Sequence, residues 1–183
     1  MECIQKSGYT FICRYYPIGL SKSLSLAEAE RAKAHKLYIV AVHEISPGAG
    51  AFDYAQGEKD GQAMILSARE CHQPKNHPIY VAKTDYDAQV SDLLKIESYI
   101  KGVRSVVMPE GYLLGTYGNG LVCQTLMALG LVHYSWLSMS KKWTGSGEYT
   151  GWSLNQLGGG NVCGVPCDFN ESTGAAGGWM PYG

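Results

Sequence analysis

Charge is scarce in this sequence and balanced where it occurs, with 15 Lys and Arg against 16 Asp and Glu in 183 residues. A nucleic-acid binder needs a concentrated basic face to release counterions, so that class is excluded. No run approaches the roughly 20 apolar residues of a membrane-spanning helix. The N-terminus, MECIQKSGYTFICRYY, lacks the basic-then-apolar order of a secretory leader. The expectation is synthesis in the cytoplasm without a signal peptide, with action in the periplasm or outside the cell after delivery. Phe is rare at 3 residues, whereas Tyr (13), Trp (4) and Gly (23) are well represented. Many glycines suit tight strand-to-helix turns. Rings with a polar tip suit a sugar site, stacking on a pyranose while OH and NH groups bond its hydroxyls.

Several chemical signatures are also missing. There is no CxxC pair, no GxGxxG after a strand, no Walker-type lysine loop and no GxSxG elbow. Gly158–Gly160 has no suitable helix after it, so it is no phosphate loop. Cys71 and His72 are adjacent at a helix end and do not face each other, which removes a thiol–imidazole pair. No cofactor and no metal are expected. Six cysteines are present (Cys3, Cys13, Cys71, Cys123, Cys163, Cys167), and Cys163–Cys167 form a CxxxC with no second close pair or nearby His. The favoured reading is buried reduced thiols acting as small hydrophobes, with a disulfide formed after export as the alternative.

At 45% hydrophobic residues the chain can bury one core. Continuous apolar or β-branched runs predict strands at 10–16 (TFICRYY), 37–42 (LYIVAV), 79–82 and 112–117, with shorter ones at 133–137, 151–156 and 162–169. Helical spacing predicts helices over 27–36, 61–72, 90–103 and 121–129, the first opened by a Ser25–Glu28 capping box. Residues 47–50 read as a loop. The β-α-β alternation implies a parallel sheet with helices outside, either an open doubly wound sheet or a closed barrel. The later half, where strands follow with little helix between, fits a reduced barrel better. Residues 1–171 would form the barrel and the Gly-rich 172–183 a loose tail.

In a parallel barrel, side chains at the C-terminal strand ends converge on one mouth. That set is Arg14, Glu44, Asp85, Asp87, Tyr117, Trp136, Gln156 and Asp168. Four crowded carboxylates would raise at least one pKa, as glycoside cleavage requires of its general acid. The expected catalytic residues are Glu44, Asp85, Asp87 and Asp168, and the expected substrate contacts Arg14, Tyr117, Trp136 and Gln156. Each has a structural counter-reading. Asp87 suits a helix cap, Arg14 could neutralise a carboxylate, the aromatics could be packing, and His43 beside Glu44 is more naturally a satisfied strand histidine than a ligand.

The segments FICRYY, KSLSLAEAERAKAHKLYIVAVHE, FDYAQGEKDGQAM, PIYVAKTDYDA, GTYGN and CDFN, in that order, resemble the glycoside-hydrolase-like domain family of bacteria and their phages, distantly related to family 25 lysozyme-type muramidases. The resemblance runs from Gly8 to Asn170. It implies a TIM-like barrel and a cell-wall glycan substrate. By it, Glu44 matches the acidic position after the strand ending in His-Glu, Asp85 and Asp87 the Asp-x-Asp of the next strand end, and Asp168 the Asp of the closing strand. Two departures stand out. The family's opening Gly-Phe-Asp strand is not seen, so a small or reduced (β/α) TIM-like barrel is expected, its first strand either lacking or cut away. Lys83-Thr84 also intervene before Asp85, a one-residue shift that implies a bulge or Thr84 in the Asp position. The function this implies is a muramidase-like hydrolase of peptidoglycan. The alternatives are a catalytically degenerate barrel that binds wall glycan or a partner protein, and an antibacterial effector with secretion machinery or an immunity protein as partners.

Overall fold

The computed structural model describes residues 1–16, 22–44 and 52–182. The loop expected at 47–50 lies outside the described residues. Seven strands form one sheet: β1 (Phe11–Tyr16), β2 (Tyr38–His43), β3 (Pro78–Val81), β4 (Leu113–Gly118), β5 (Tyr134–Leu137), β6 (Leu154–Val162) and β7 (Val165–Ser172). Their order in the sheet is their order in the chain. The first six are mutually parallel, and β7 returns antiparallel to β6. A doubly wound sheet reverses strand order at a switch point, and this one never does. The result is a mixed α/β fold with a curled half-barrel sheet, a reduced TIM-like barrel.

Alternation along each strand divides the sheet into two faces. Ile39, Ala41, Ile79, Val81 and Leu114 pack outward against helices α2 (Leu26–Ala34), α3 (Tyr54–Glu70), α4 (Leu93–Val107) and α5 (Gly120–Ala128). Val40, Val42, Tyr80, Ala82, Tyr117, Trp136 and Leu154 fill the concave face. The serine half of the capping box forms, with Ser25 Oγ accepting the Glu28 N–H at 3.2 Å. The Glu28 carboxylate turns instead to Arg14 of β1, at 2.8 Å from its Nε.

Helix α3 starts at Tyr54, seven residues before the expected Gly61, and Asp53 caps it by accepting the Gln56 N–H at 2.8 Å. Its first turns bury Gly57, Asp60 and Gly61 against α4. The two backbones nearly touch: a Cβ on Gly57 would sit 2.1 Å from Tyr99 O, and one on Gly102 2.1 Å from Tyr54 O. A helix face built of glycine and a buried carboxylate has no apolar periodicity to read.

Cysteine usage also departs from expectation, because Cys3 and Cys163 form a disulfide. Cys13, Cys71, Cys123 and Cys167 remain thiols, with Cys71 and Cys123 buried. Cys163 and Gly164, with φ of 55° and 78°, form the tight turn of the β6–β7 hairpin, where two left-handed residues match the strand twist. The bond therefore joins the hairpin tip to the short N-terminal helix α1 (Glu2–Lys6). Nearby the Tyr9 and Phe169 rings stack in parallel, 6.3 Å apart. These contacts draw together the two ends of the sheet, β1 and β7.

The glycine-rich tail is not loose. Trp179 is buried and exchanges two backbone hydrogen bonds with Ile39, of 2.8 and 2.9 Å. The Ala176 carbonyl accepts from the Tyr80 hydroxyl at 2.9 Å, and the Tyr182 ring stacks on His72. Glycine lets this segment pass close under the barrel: a Cβ on Gly177 would lie 2.3 Å from Pro78.

Candidate active site

Three carboxylates gather where the parallel strands end. Glu44 directly follows β2, Asp85 lies in the loop after β3, and Asp168 projects from β7. They share two tyrosines. The Tyr15 hydroxyl is hydrogen-bonded to Glu44 and feels the charges of Asp168 and Asp85. Burial first, then these carboxylates, push it up to about 12. Tyr117 is held well above its ordinary value by burial and by Asp85, which its hydroxyl also approaches within hydrogen-bonding reach.

Burial and then the negative charge of Asp85 raise the Glu44 carboxyl above the usual range. The Tyr15 hydrogen bond and the Lys22 charge pull weakly the other way. Partial burial and a like charge shift a carboxyl in the direction that a general acid needs.

A hydrogen-bonded chain fixes the other side. Tyr117 donates to Gln156 Oε1 at 2.9 Å, and Gln156 Nε2 donates to Asp168 Oδ2 at 3.0 Å. Asp85, Asp168, Tyr117 and Gln156 line one wall of a cleft of about 390 Å³. Ser138, Met139, Ser140 and Trp143, from the loop between β5 and β6, line the rest. The volume falls within the range of small-ligand sites.

Not every residue expected at the mouth arrives there. Glu44, Asp85, Asp168, Tyr117 and Gln156 do. Arg14 sits on the helix-facing side of β1, in its ion pair with Glu28, because it alternates with Cys13 and Tyr15. Asp87 is turned away and accepts from the Thr144 N–H at 2.7 Å and from Asn119 Nδ2 at 3.1 Å. These bonds hold its carboxyl below the usual range.

Trp136 belongs to the concave core, edge-on to Tyr80 and Tyr117, with its Nε1 donated to Asn170 at 2.9 Å. His43 points into the helix layer, where burial lowers its pKa to about 4. Thr84 is buried and donates to the Tyr117 carbonyl, so it braces β4. The sequence reading missed Tyr15, which strand alternation in FICRYY puts on the face of Phe11 and Cys13. It also missed Trp143, for which no local signal existed. Among the described residues, no group of three or more His, Cys, Asp or Glu could hold a metal ion.

The relatives agree with this architecture. The Tat-secreted protein Rv2525c of Mycobacterium tuberculosis, solved with HEPES, superposes with a TM-score of 0.83 at 23% identity, covering 97% of this chain and 92% of that one. The modular autolysin LytC of Streptococcus pneumoniae, solved with a synthetic peptidoglycan ligand, gives 0.61 at 14% identity over 92% of this chain and 42% of that one. The spore cortex lytic enzyme SleM of Clostridium perfringens gives 0.51 at 15% identity, over 85% and 53%. At such identities these likenesses speak for the fold. No curated protein sequence matches the chain. A family model described as Rv2525c-like, glycoside hydrolase-like domain matches residues 2–163, and with that span of match the chain belongs to this glycoside-hydrolase-like family.

Proposed function

We propose that this domain hydrolyses a glycosidic bond of peptidoglycan by carboxylate acid–base catalysis. The observation that carries the reading is the convergence of Glu44, Asp85 and Asp168 on Tyr15 and Tyr117 where the strands end. Glu44, protonated, gives its proton to the leaving glycosidic oxygen. Asp168, held by Gln156, directs water or stabilises the positive charge that develops on the sugar ring, and Asp85 keeps the Glu44 proton in place. Tyr117 and Gln156 shape the sugar site. Support for the substrate class comes from LytC, solved with a synthetic peptidoglycan ligand, and from SleM, described as lytic for spore cortex. Action outside the cytoplasm fits the Cys3–Cys163 disulfide, since such bonds persist in oxidising compartments, and fits a Tat-secreted relative.

Mass spectrometry of peptidoglycan incubated with the protein is the test. Wild type should release saccharide fragments whose ends identify the bond. Glu44→Gln should slow release by at least about a hundredfold, the scale of general acid catalysis, and Asp85→Asn should slow it less. Release at wild-type rate from both variants would sink the assignment. Binding of glycan without any fragments would instead mark a degenerate barrel.

A further inference from the structure

The cleft has two walls of different make. One carries Asp85, Asp168, Tyr117 and Gln156. The other is the β5–β6 loop, whose largest cleft-lining side chain is Trp143. Trp136 is edge-on to two tyrosines, Trp179 is buried under the barrel, and Trp152 is not among the residues that line this cleft. Trp143 is half-buried, and among the described residues no ring contact with another aromatic side chain engages it. A half-buried indole on the wall of an acidic cleft has the shape and polar edge that stack on a pyranose ring.

A loop residue serves as a platform only where the loop is held. Thr144 follows Trp143 directly, and its backbone N–H is donated to Asp87 Oδ1 at 2.7 Å. The same oxygen accepts from Asn119 Nδ2 at 3.1 Å, and Asn119 also caps α5 through the Val122 N–H at 3.0 Å. Gln89 Nε2 adds a bond to Thr144 Oγ1 at 3.0 Å. Backbone contact closes the clamp: a Cβ on Gly120 would lie 2.0 Å from the Gly145 carbonyl oxygen. Asp87 thus ties the loop after β3 to the loop before β6, across the end of β4.

We propose that Trp143 is the sugar-stacking platform of this cleft and that Asp87 is a positioning residue holding it there, an inference that rests on the glycan reading above. Asp87 touches the backbone behind the platform and takes no part in proton transfer. An Asn in its place keeps an oxygen for both donors, whereas an Ala keeps none.

The experiment pairs calorimetric binding of a soluble fragment of alternating N-acetylglucosamine and N-acetylmuramic acid with kinetics on the same fragment. Trp143→Ala should weaken binding roughly tenfold and raise KM, leaving kcat within about threefold, and Trp143→Phe should recover most of the loss. Asp87→Ala should reproduce the KM effect, and Asp87→Asn should restore both KM and the pH profile. If Asp87→Ala does not fold, the Trp143 pair and Asp87→Asn carry the test. Unchanged KM in Trp143→Ala, with wild type binding normally, overturns the platform and leaves the function standing. Loss of kcat in Asp87→Asn on the scale of Glu44→Gln would make Asp87 a proton-transfer group and overturn its positioning role. A wild type that neither binds nor cleaves the fragment overturns the glycan reading, and the platform with it.

Discussion

Strands β1 to β5 are short, parallel and backed by helices, whereas β6 and β7 form a longer antiparallel ribbon in which no residue from 157 to 167 is buried. Burial holds the first group. Ile39, Ile79, Val81 and Leu114 are nearly or wholly inaccessible, and each such side chain contributes about 1.5–3 kcal/mol by leaving water. The ribbon has no such cover, yet it carries Asp168 into the cleft. It is fastened by means that need little area: a disulfide at its tip, the Tyr9–Phe169 stack and the paired backbone of a hairpin. Covalent attachment is placed where apolar burial is missing.

Cutting the fastening is the most forceful way to break this comparison. The disulfide closes a loop with a sequence separation of 160. In the chain-entropy model, reduction or a Cys3→Ser/Cys163→Ser double variant costs about 5 kcal/mol, read by urea unfolding. Hydrogen exchange should show protection lost first in the ribbon. If β2 and β3 lose it equally, the two regions are not held separately.

The helix-backed half has its own weak point at His43, which is nearly inaccessible to solvent and, among the described residues, has no hydrogen-bond partner on either ring nitrogen. Burial puts its folded pKa at about 4, with Asp60 opposing and Lys83 adding to the shift, against 6.5 unfolded. The unfolded chain therefore takes up the proton first. Stability is full above about pH 6.5 and falls by about 3 kcal/mol as the pH drops to 4, below which the penalty is constant. His43→Leu should remove that slope in pH-dependent denaturation, and an unchanged slope would assign it to other groups.

Glycine substitution is the finest probe. Gly102→Ala drives a methyl into the Tyr54 carbonyl at the α3–α4 crossing and should cost about 2 kcal/mol or more. Gly164→Ala at the hairpin turn meets nothing within 4 Å and costs only its left-handed φ of 78°, about 1 kcal/mol. Thermal melts of the pair rank the two regions, and equal shifts would deny that the crossing is tighter than the ribbon.

The same division explains what was legible in the sequence. The five helix-backed strands were placed within a residue or two, because strands buried on both faces read as apolar runs. Carboxylates at their ends, Glu44 and Asp85, followed from topology alone. The ribbon is less legible: the sequence predicts separate strands at 151–156 and 162–169, while β6 runs from Leu154 to Val162 through three consecutive glycines. Asp168 was expected at the end of a strand and is instead within β7, opposite Gly159. The start of α3 carries no apolar signal because glycines and Asp60 form its contact face. Arg14 stands near a strand end, but alternation with Cys13 and Tyr15 turns it to the helix side. The Cys3–Cys163 pairing depends on a contact between opposite ends of the sheet, which no local pattern encodes.

Asp85 and Asp87 stand two positions apart in one loop, and their side chains serve opposite sides of it. One enters the cleft and the other grips the wall that faces it. The dipeptide spacing works as a ruler. Adding or removing a single residue between the two would displace Asp85 and release the indole in one stroke, so this stretch tolerates exchange of side chains far better than any change of length.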